Sequence, residues 1–133
     1  MAKKTTHDEA GKPRVLVVED DTFLAGMYLT KFGLEGFTVE LASDGREGVK
    51  KAKEWKPDIM LLDLVLPVMD GFTVLETVRN DPDTKTIPVI LLTNLGQKSD
   101  VERGMKLGAS DYLIKAHFMP SEVIEKVKRF LKP

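Results

Sequence analysis

Val15-Leu16-Val17-Val18-Glu19-Asp20-Asp21 and Ile59-Met60-Leu61-Leu62-Asp63 decide how this chain folds. Each is a short, unbroken apolar run that stops abruptly at carboxylates. Four apolar residues without alternation are too few for a helix and read as a strand buried on both faces. Two such strands in one parallel sheet bring the cluster Glu19–Asp20–Asp21 and Asp63 together at the edge where the strands end. Crowded anions do nothing for a fold: at an effective dielectric of about 20, a like-charge pair near 4 Å costs roughly 4 kcal/mol. The cluster therefore predicts a divalent cation, and with it phosphate chemistry.

The pattern repeats outward from these two runs. Val89–Leu92 and Tyr112–Ile114 are further strand candidates, and Thr38–Leu41 is a weaker one. Helical spacing fills the intervals. Asp21 or Thr22 caps a helix to about Leu34, with Phe23, Met27, Leu29 and Phe32 expected mostly on its inner side. Asp44–Gly45 opens a second helix over Arg46 to Trp55, ended by Pro57. A third follows Gly71, turns Val74, Leu75 and Val78 inward, and stops at Asn80–Asp81–Pro82. A fourth runs from Ser99 to about Leu107 and is closed by Gly108. The last begins at Pro120–Ser121, residues suited to a first turn or a cap, and carries Val123, Ile124, Val127, Phe130 and Leu131. Five strand–helix alternations predict an α/β fold with a doubly wound parallel sheet and helices on both faces. Sites in such sheets form at the carboxyl ends of the strands. The residues expected there are Glu19–Asp20–Asp21, Asp63, Thr93–Asn94 and Lys115, all polar or charged.

The whole chain narrows the choices. Its 133 residues suit one domain, and 42% hydrophobic content suits a globule with a core. A net charge of −1 advertises neither nucleic-acid nor membrane affinity. The absence of cysteine excludes disulfides and thiolate sites. No apolar run approaches a membrane span, and the polar opening lacks the core of a signal peptide, so a cytoplasmic location is expected. Residues 1–12 read as a flexible tail and 13–133 as the domain, with no room left for an output domain.

The spacing of Val17–Val18–Glu19–Asp20, Asp63 through Gly71 (DLVLPVMDG), Thr93, Tyr112 and Lys115 resembles the receiver domain of two-component response regulators. It is most similar to the stand-alone, chemotaxis-type regulators. The resemblance covers roughly residues 13 to 132. It implies a flavodoxin-like five-stranded sheet in the order 2-1-3-4-5 with five helices. It also implies a phosphorylation-dependent switch in which Asp63 accepts a phosphoryl group from a histidine kinase or phosphotransfer protein. The chain would promote its own phosphorylation and dephosphorylation without being an enzyme in the ordinary sense. By resemblance, Mg2+ is the cofactor: Asp20 binds it directly, Glu19 through water, and Asp63 and the backbone carbonyl of Val65 each give an oxygen. Lys115 supplies fixed positive charge for the phosphoryl group. Thr93 turns its hydroxyl to that group, Tyr112 follows, and the surface of the fourth helix, fifth strand and fifth helix changes for an effector protein. Neither nucleic acid nor membrane is expected as a partner, and a monomer or weak dimer is.

Blander readings stand beside these. Asp63 could be a strand-end cap, Thr93 a structural hydroxyl, Lys115 a surface lysine and Tyr112 a core-edge aromatic. Asp21 is better read as a helix cap than as a ligand, and Asp70–Gly71 as a turn and cap. Pro67 shapes that loop. His7 and His117 read as surface residues, the methionines and Trp55 as packing. Lys50, Lys51 and Lys53 read as a solvated face, as do Lys126, Lys128, Arg129 and Lys132. Three departures from the family pattern matter: Ala116 in place of proline, which leaves the Lys115–Ala116 bond cis or trans; Leu66 in place of methionine; and Asn94 beside the pocket, where a small residue is usual. Val65 and Leu95 are apolar where this family orients a hydrolytic water, which predicts a long-lived phosphoryl state. An unphosphorylated pseudo-receiver is the main rival. A dehalogenase-type phosphatase needs a second acid where Val65 stands, and a flavin carrier would be repelled by Glu19–Asp20–Asp21.

Overall fold

A computed structural model describes residues 11–131. The expected tail at 1–12 therefore lies almost wholly outside the described residues, as do His7 and Lys132. The elements run β1 (Arg14–Val18), α1 (Thr22–Leu34), β2 (Thr38–Ala42), α2 (Gly45–Trp55), β3 (Ile59–Leu62), α3 (Gly71–Asn80), β4 (Val89–Thr93), α4 (Lys98–Lys106), β5 (Asp111–Ile114) and α5 (Pro120–Leu131). A short 3-10 turn over Lys115–His117 joins the last two. The strands form one parallel sheet in the order β2-β1-β3-β4-β5, as expected.

Every residue of β3 and β4 is buried, because alternate side chains feed two separate cores. Leu16, Val18, Met60, Leu62, Val89 and Leu91 pack beneath α2 and α3 with Ala52, Val74, Leu75 and Val78. Val15, Val17, Ile59, Leu61, Ile90 and Leu92 face α1 and α5, meeting Tyr28, Phe32, Val123, Ile124 and Val127. Fully burying one such side chain contributes on the order of 1.5–3 kcal/mol, so these layers dominate the stability of the fold.

Helix α1 corrects one expectation. Its buried residues are Ala25, Tyr28 and Phe32, whereas Phe23 is 83% exposed and Leu29 is also exposed. The Asp21 side chain caps the helix by accepting the Leu24 N–H, which fixes the helical phase. Phe23 then lies about 140° around the axis from Tyr28. The other helix ends follow their sequence signals. Asp44 and Asp70 cap α2 and α3. Lys56 closes α2 in the left-handed region ahead of Pro57. Pro120 and Ser121 lie in the first turn of α5, while Glu122 reaches back to accept the Met119 N–H. Helix α4 begins at Lys98, one residue before its expected start, and its cap residue Gln97 makes no side-chain bond.

Two of the surface readings also change. Lys51 binds Glu40 and the Leu41 carbonyl, clasping α2 to β2, and Lys128 pairs with Glu35 across α5 and α1. Met105 and Met119 are exposed and do not pack in the core. At the amino edge of the sheet, the Arg79 guanidinium donates to the carbonyls of Gly108 (2.9 Å), Ile87 (2.7 Å) and Lys85 (3.1 Å). One side chain thereby ties the end of α3 to the entry of β4 and the turn after α4. Among the described residues, no helix is long and apolar enough to cross a membrane.

Candidate functional site

The sheet ladder itself places the acidic residues. The Val18 carbonyl accepts the Asp63 N–H (3.1 Å) and the Ala42 carbonyl accepts the Glu19 N–H (2.9 Å), so both residues continue their strands by one step. Glu19 and Asp63 are each 5% exposed, while Asp20 is open to solvent. Carboxylate oxygens of Glu19, Asp20 and Asp63 all lie within 4.8 Å of one another. Asp21 does not join them. It caps α1, and its N–H donates to Glu19 Oε2 at 3.1 Å.

Lys115 arrives from the end of β5. Its Nζ lies 2.7 Å from both Glu19 Oε1 and Asp63 Oδ2, so it is neither a surface lysine nor displaced by Ala116. The Lys115–Ala116 bond is trans. Asp63 Oδ1 accepts the Val65 N–H at 3.2 Å. Burial pushes the Glu19 carboxyl up, against the opposing Lys115 hydrogen bond and the Asp21 N–H. Burial by itself would pull Lys115 down, but its hydrogen bonds to Asp63 and Glu19, with their charges, hold it above its ordinary value.

Three carboxylates face one ammonium here, which leaves two negative charges uncompensated in a largely buried setting. The donors are all oxygen. That set fits a hard divalent ion, Mg2+ in particular, which needs only one or two direct carboxylates and keeps its other waters. Glu19, Asp20 and Asp63 are the side chains that would hold it.

The loop after β3 is fixed by its neighbours. A Cβ on Gly71 would lie 2.3 Å from the Asp63 carbonyl oxygen and 2.6 Å from Leu64 Cα, so only glycine lets α3 start this close to the end of β3. The Gly71 N–H donates to the Leu64 carbonyl at 2.9 Å. Asp70 and Gly71 therefore serve as cap and close contact, as their sequence suggested. Val68, 72% exposed, sits at φ +72 inside a three-residue turn closed by the Met69 N–H on the Pro67 carbonyl. A β-branched residue is strained there.

Thr93 and Tyr112 are joined by something the sequence did not reveal. The fully buried Thr93 offers its Oγ1 to the Leu95 N–H at 3.3 Å, and the Tyr112 hydroxyl donates to the Leu95 carbonyl at 2.5 Å. The two residues thus meet through the backbone of Leu95, whose side-chain identity carries no trace of that role. The Tyr112 ring also rests on α4 where Gly104 stands; a Cβ there would come within 3.2 Å of the ring and 2.7 Å of Leu91. Asn94 is exposed, and Val65 is exposed beside the pocket. Burial pushes the Tyr112 phenol up, with the charges of Asp100 and Asp63 adding to it.

With this geometry established, comparison with known proteins is informative. Residues 15–128 match the family described as the response regulator receiver domain. The chain is 39% identical over 120 residues to the DNA-binding dual master transcriptional regulator RpaA of Synechocystis, covering 90% of this chain and 49% of that protein. Chemotaxis protein CheY4 of Vibrio cholerae superposes with a TM-score of 0.83 at 31% identity, over 90% of this chain and 99% of that one. The BeF3-activated N-terminal receiver domain of Klebsiella pneumoniae RstA gives 0.82 at 27% identity, over 90% and 99%. The chain spans about half the length of the curated relatives it matches.

Proposed function

The chain belongs to the response regulator receiver family, and from that premise we propose that it is a phosphorylation-dependent signalling switch whose phosphoacceptor is Asp63. The observation that carries this reading is the Lys115 ammonium set 2.7 Å from both Asp63 and Glu19, within a carboxylate group short of two positive charges. An Asp63 oxygen attacks the phosphorus of a phosphohistidine on a kinase or phosphotransfer protein. The P–N bond breaks with its electron pair left on the imidazole, and an acyl phosphate forms. Lys115 follows the phosphoryl oxygens and offsets their charge. Mg2+, held by Glu19, Asp20, Asp63 and the Val65 carbonyl, would add neutralising charge at the same oxygens.

The signal leaves through Thr93. Its hydroxyl turns to the phosphoryl group and releases the Leu95 N–H, and Tyr112 loses the fixed carbonyl that positions it. The surface of α4, β5 and α5 then changes for an effector. RpaA is described as DNA-binding, yet the residues assembled here perform phosphoryl acceptance and relay, and a protein partner suits them. The chain serves its own phosphorylation and is not an enzyme acting on other molecules. Val65 and Leu95 give the hydrolytic water no polar anchor, so the phosphoryl state is long-lived; Val65→Asn should shorten it.

Incubation with Mg2+ and acetyl phosphate, followed by mass spectrometry, tests the reading. Wild type is expected to gain one phosphoryl group and Asp63→Asn none. Labelling of neither would favour a pseudo-receiver that works only as an interaction module, and equal labelling of both would place the acceptor at a residue other than Asp63.

A further inference from the structure

Among the described residues, α4 buries fewer of its own side than any other α-helix: Gly104 alone. The Tyr112 ring and Leu91 receive that face, and a single methyl on Gly104 would press on both. The preceding residue, Arg103, is exposed, yet its guanidinium is not loose in solvent. It lies over the Phe72 ring with its central carbon 4.1 Å from the ring centroid, a cation–π contact from α4 to α3.

The two sides of that contact are held unequally. Phe72 is 7% exposed and belongs to the core layer that includes Leu64 and Leu91. It follows Gly71, whose N–H is bound to the Leu64 carbonyl and whose Cα leaves no room for a methyl. The ring is therefore fixed to the end of β3. Arg103 instead rides on a helix seated against the Tyr112 ring, and the hydroxyl of that tyrosine is bound to the Leu95 carbonyl. In the proposed switch, Thr93 turns to the phosphoryl group, Tyr112 leaves its place, and the seat of Gly104 changes. A nine-residue helix moves as one body, so Arg103 travels with Gly104 while Phe72 stays. Cation–π attraction holds within about 6 Å of the centroid, so a shift of about 2 Å carries the guanidinium off the ring.

We propose that Arg103 stacked on Phe72 is a latch that holds α4 against α3 in the resting state and must open for the switch to turn. A contact made in only one of two states shifts the balance between them by its own free energy. The latch thus lowers the apparent affinity of the acidic pocket for a phosphoryl group and damps activation in its absence. The proposal rests on Asp63 being the phosphoacceptor and on α4 responding to it.

The test uses the full chain, with beryllofluoride and Mg2+ as the phosphoryl probe and the α4 amide resonances as the readout. Arg103→Gln keeps a long, helix-compatible side chain and removes the cation. Phe72→Leu keeps an apolar side chain and removes the ring face. Each is expected to reach half-saturation at a beryllofluoride concentration about threefold lower than wild type, the size of one cation–π contact at a partly exposed site. The double variant should shift no further than either single one, since both break the same contact. In both single variants the resting α4 resonances should lie displaced toward their beryllofluoride positions. Half-saturation of Arg103→Gln at the wild-type concentration overturns the proposal, and that exposed position gives the result even where Phe72→Leu folds poorly. A raised concentration would mean that Arg103 acts through its charge on the anion, which also overturns it, as do fully additive shifts in the double variant. If wild type neither responds to beryllofluoride nor takes up phosphate from acetyl phosphate, the switch itself is wrong and this inference falls with it. A wild type that responds while both variants match it refutes the latch alone.

Discussion

The connection from β3 to α3 and the one from β4 to α4 leave neighbouring strands at the same sheet edge, yet they are built in opposite ways. The first is locked. Gly71 abuts the Asp63 carbonyl, Asp70 caps α3 through the Thr73 N–H, and the Pro67 carbonyl accepts both the Met69 and Gly45 N–H groups. The second is slack. Asn94, Gly96 and Gln97 are exposed, Gln97 contributes no side-chain cap, and α4 buries only Gly104. Its side-chain ties meet at the Leu95 peptide, shared between Thr93 and Tyr112. On the proposed function, a phosphoacceptor at Asp63 needs a fixed position for in-line attack, and a reporter at Thr93 and Tyr112 needs two positions of similar energy. The molecule puts its rigidity on one loop and its freedom on the next.

The largest effect that would break this contrast is expected from Gly71→Ala. The added methyl meets backbone that cannot yield, so destabilisation of about 3 kcal/mol or more is expected in denaturant melts, together with loss of phosphoryl acceptance. An unchanged midpoint would show that the β3–α3 loop is not locked.

Alkaline titration comes next. A phenol whose folded pKa exceeds its unfolded value contributes stability that is complete below the unfolded value and is lost as pH rises through the folded one. Tyr28, pushed up from 10.0 to about 12 chiefly by burial, therefore lowers the melting temperature progressively between pH 10 and 12. Lys115, held above 10.5, acts in the same direction. Tyr28→Phe should flatten that decline more than Tyr112→Phe does, and equal flattening would blur the distinction between buried floor and slack rim.

Tyr112→Phe at neutral pH should cost about 1 kcal/mol by removing the bond to Leu95. It should also weaken the response of α4 amide shifts to beryllofluoride; a full response would place the coupling elsewhere. The smallest pair of effects sharpens the comparison from both sides. Val68→Gly relieves a positive φ and should stabilise by about 1 kcal/mol, less the greater chain entropy of glycine. Gln97→Asp supplies α4 with a cap worth about 0.5–1 kcal/mol. The first should leave the switch unaltered, and the second should stiffen it.

How much could be read from residues alone follows the same physics. β1, β3 and β4 are apolar on both faces, so their runs are unmistakable, and the placing of Asp63, Thr93 and Lys115 at one edge was legible because parallel strands all end there. The face of α1 was not legible. Phe23, Leu24, Met27, Tyr28, Leu29 and Leu34 surround the helix with apolar groups, so spacing carries no phase, and only the Asp21 cap and the packing of Phe32 against Phe37 decide it. Leu95 was opaque for a different reason: its part is played by an N–H and a carbonyl that any residue would supply. The tie between Lys115 and both carboxylates required the strand register, which no single segment encodes.

Arg79 shows how far from the chemistry a signalling defect can arise. Its guanidinium serves three carbonyls, so truncating it strips all three at once and leaves those of Gly108 and Ile87 in a semi-buried setting. An Arg79→Ala protein would still carry every group of the proposed phosphoryl site. Inside a cell its transiently opened form would be more often within reach of proteases, and the pathway would fall silent for want of protein and not for want of reactivity.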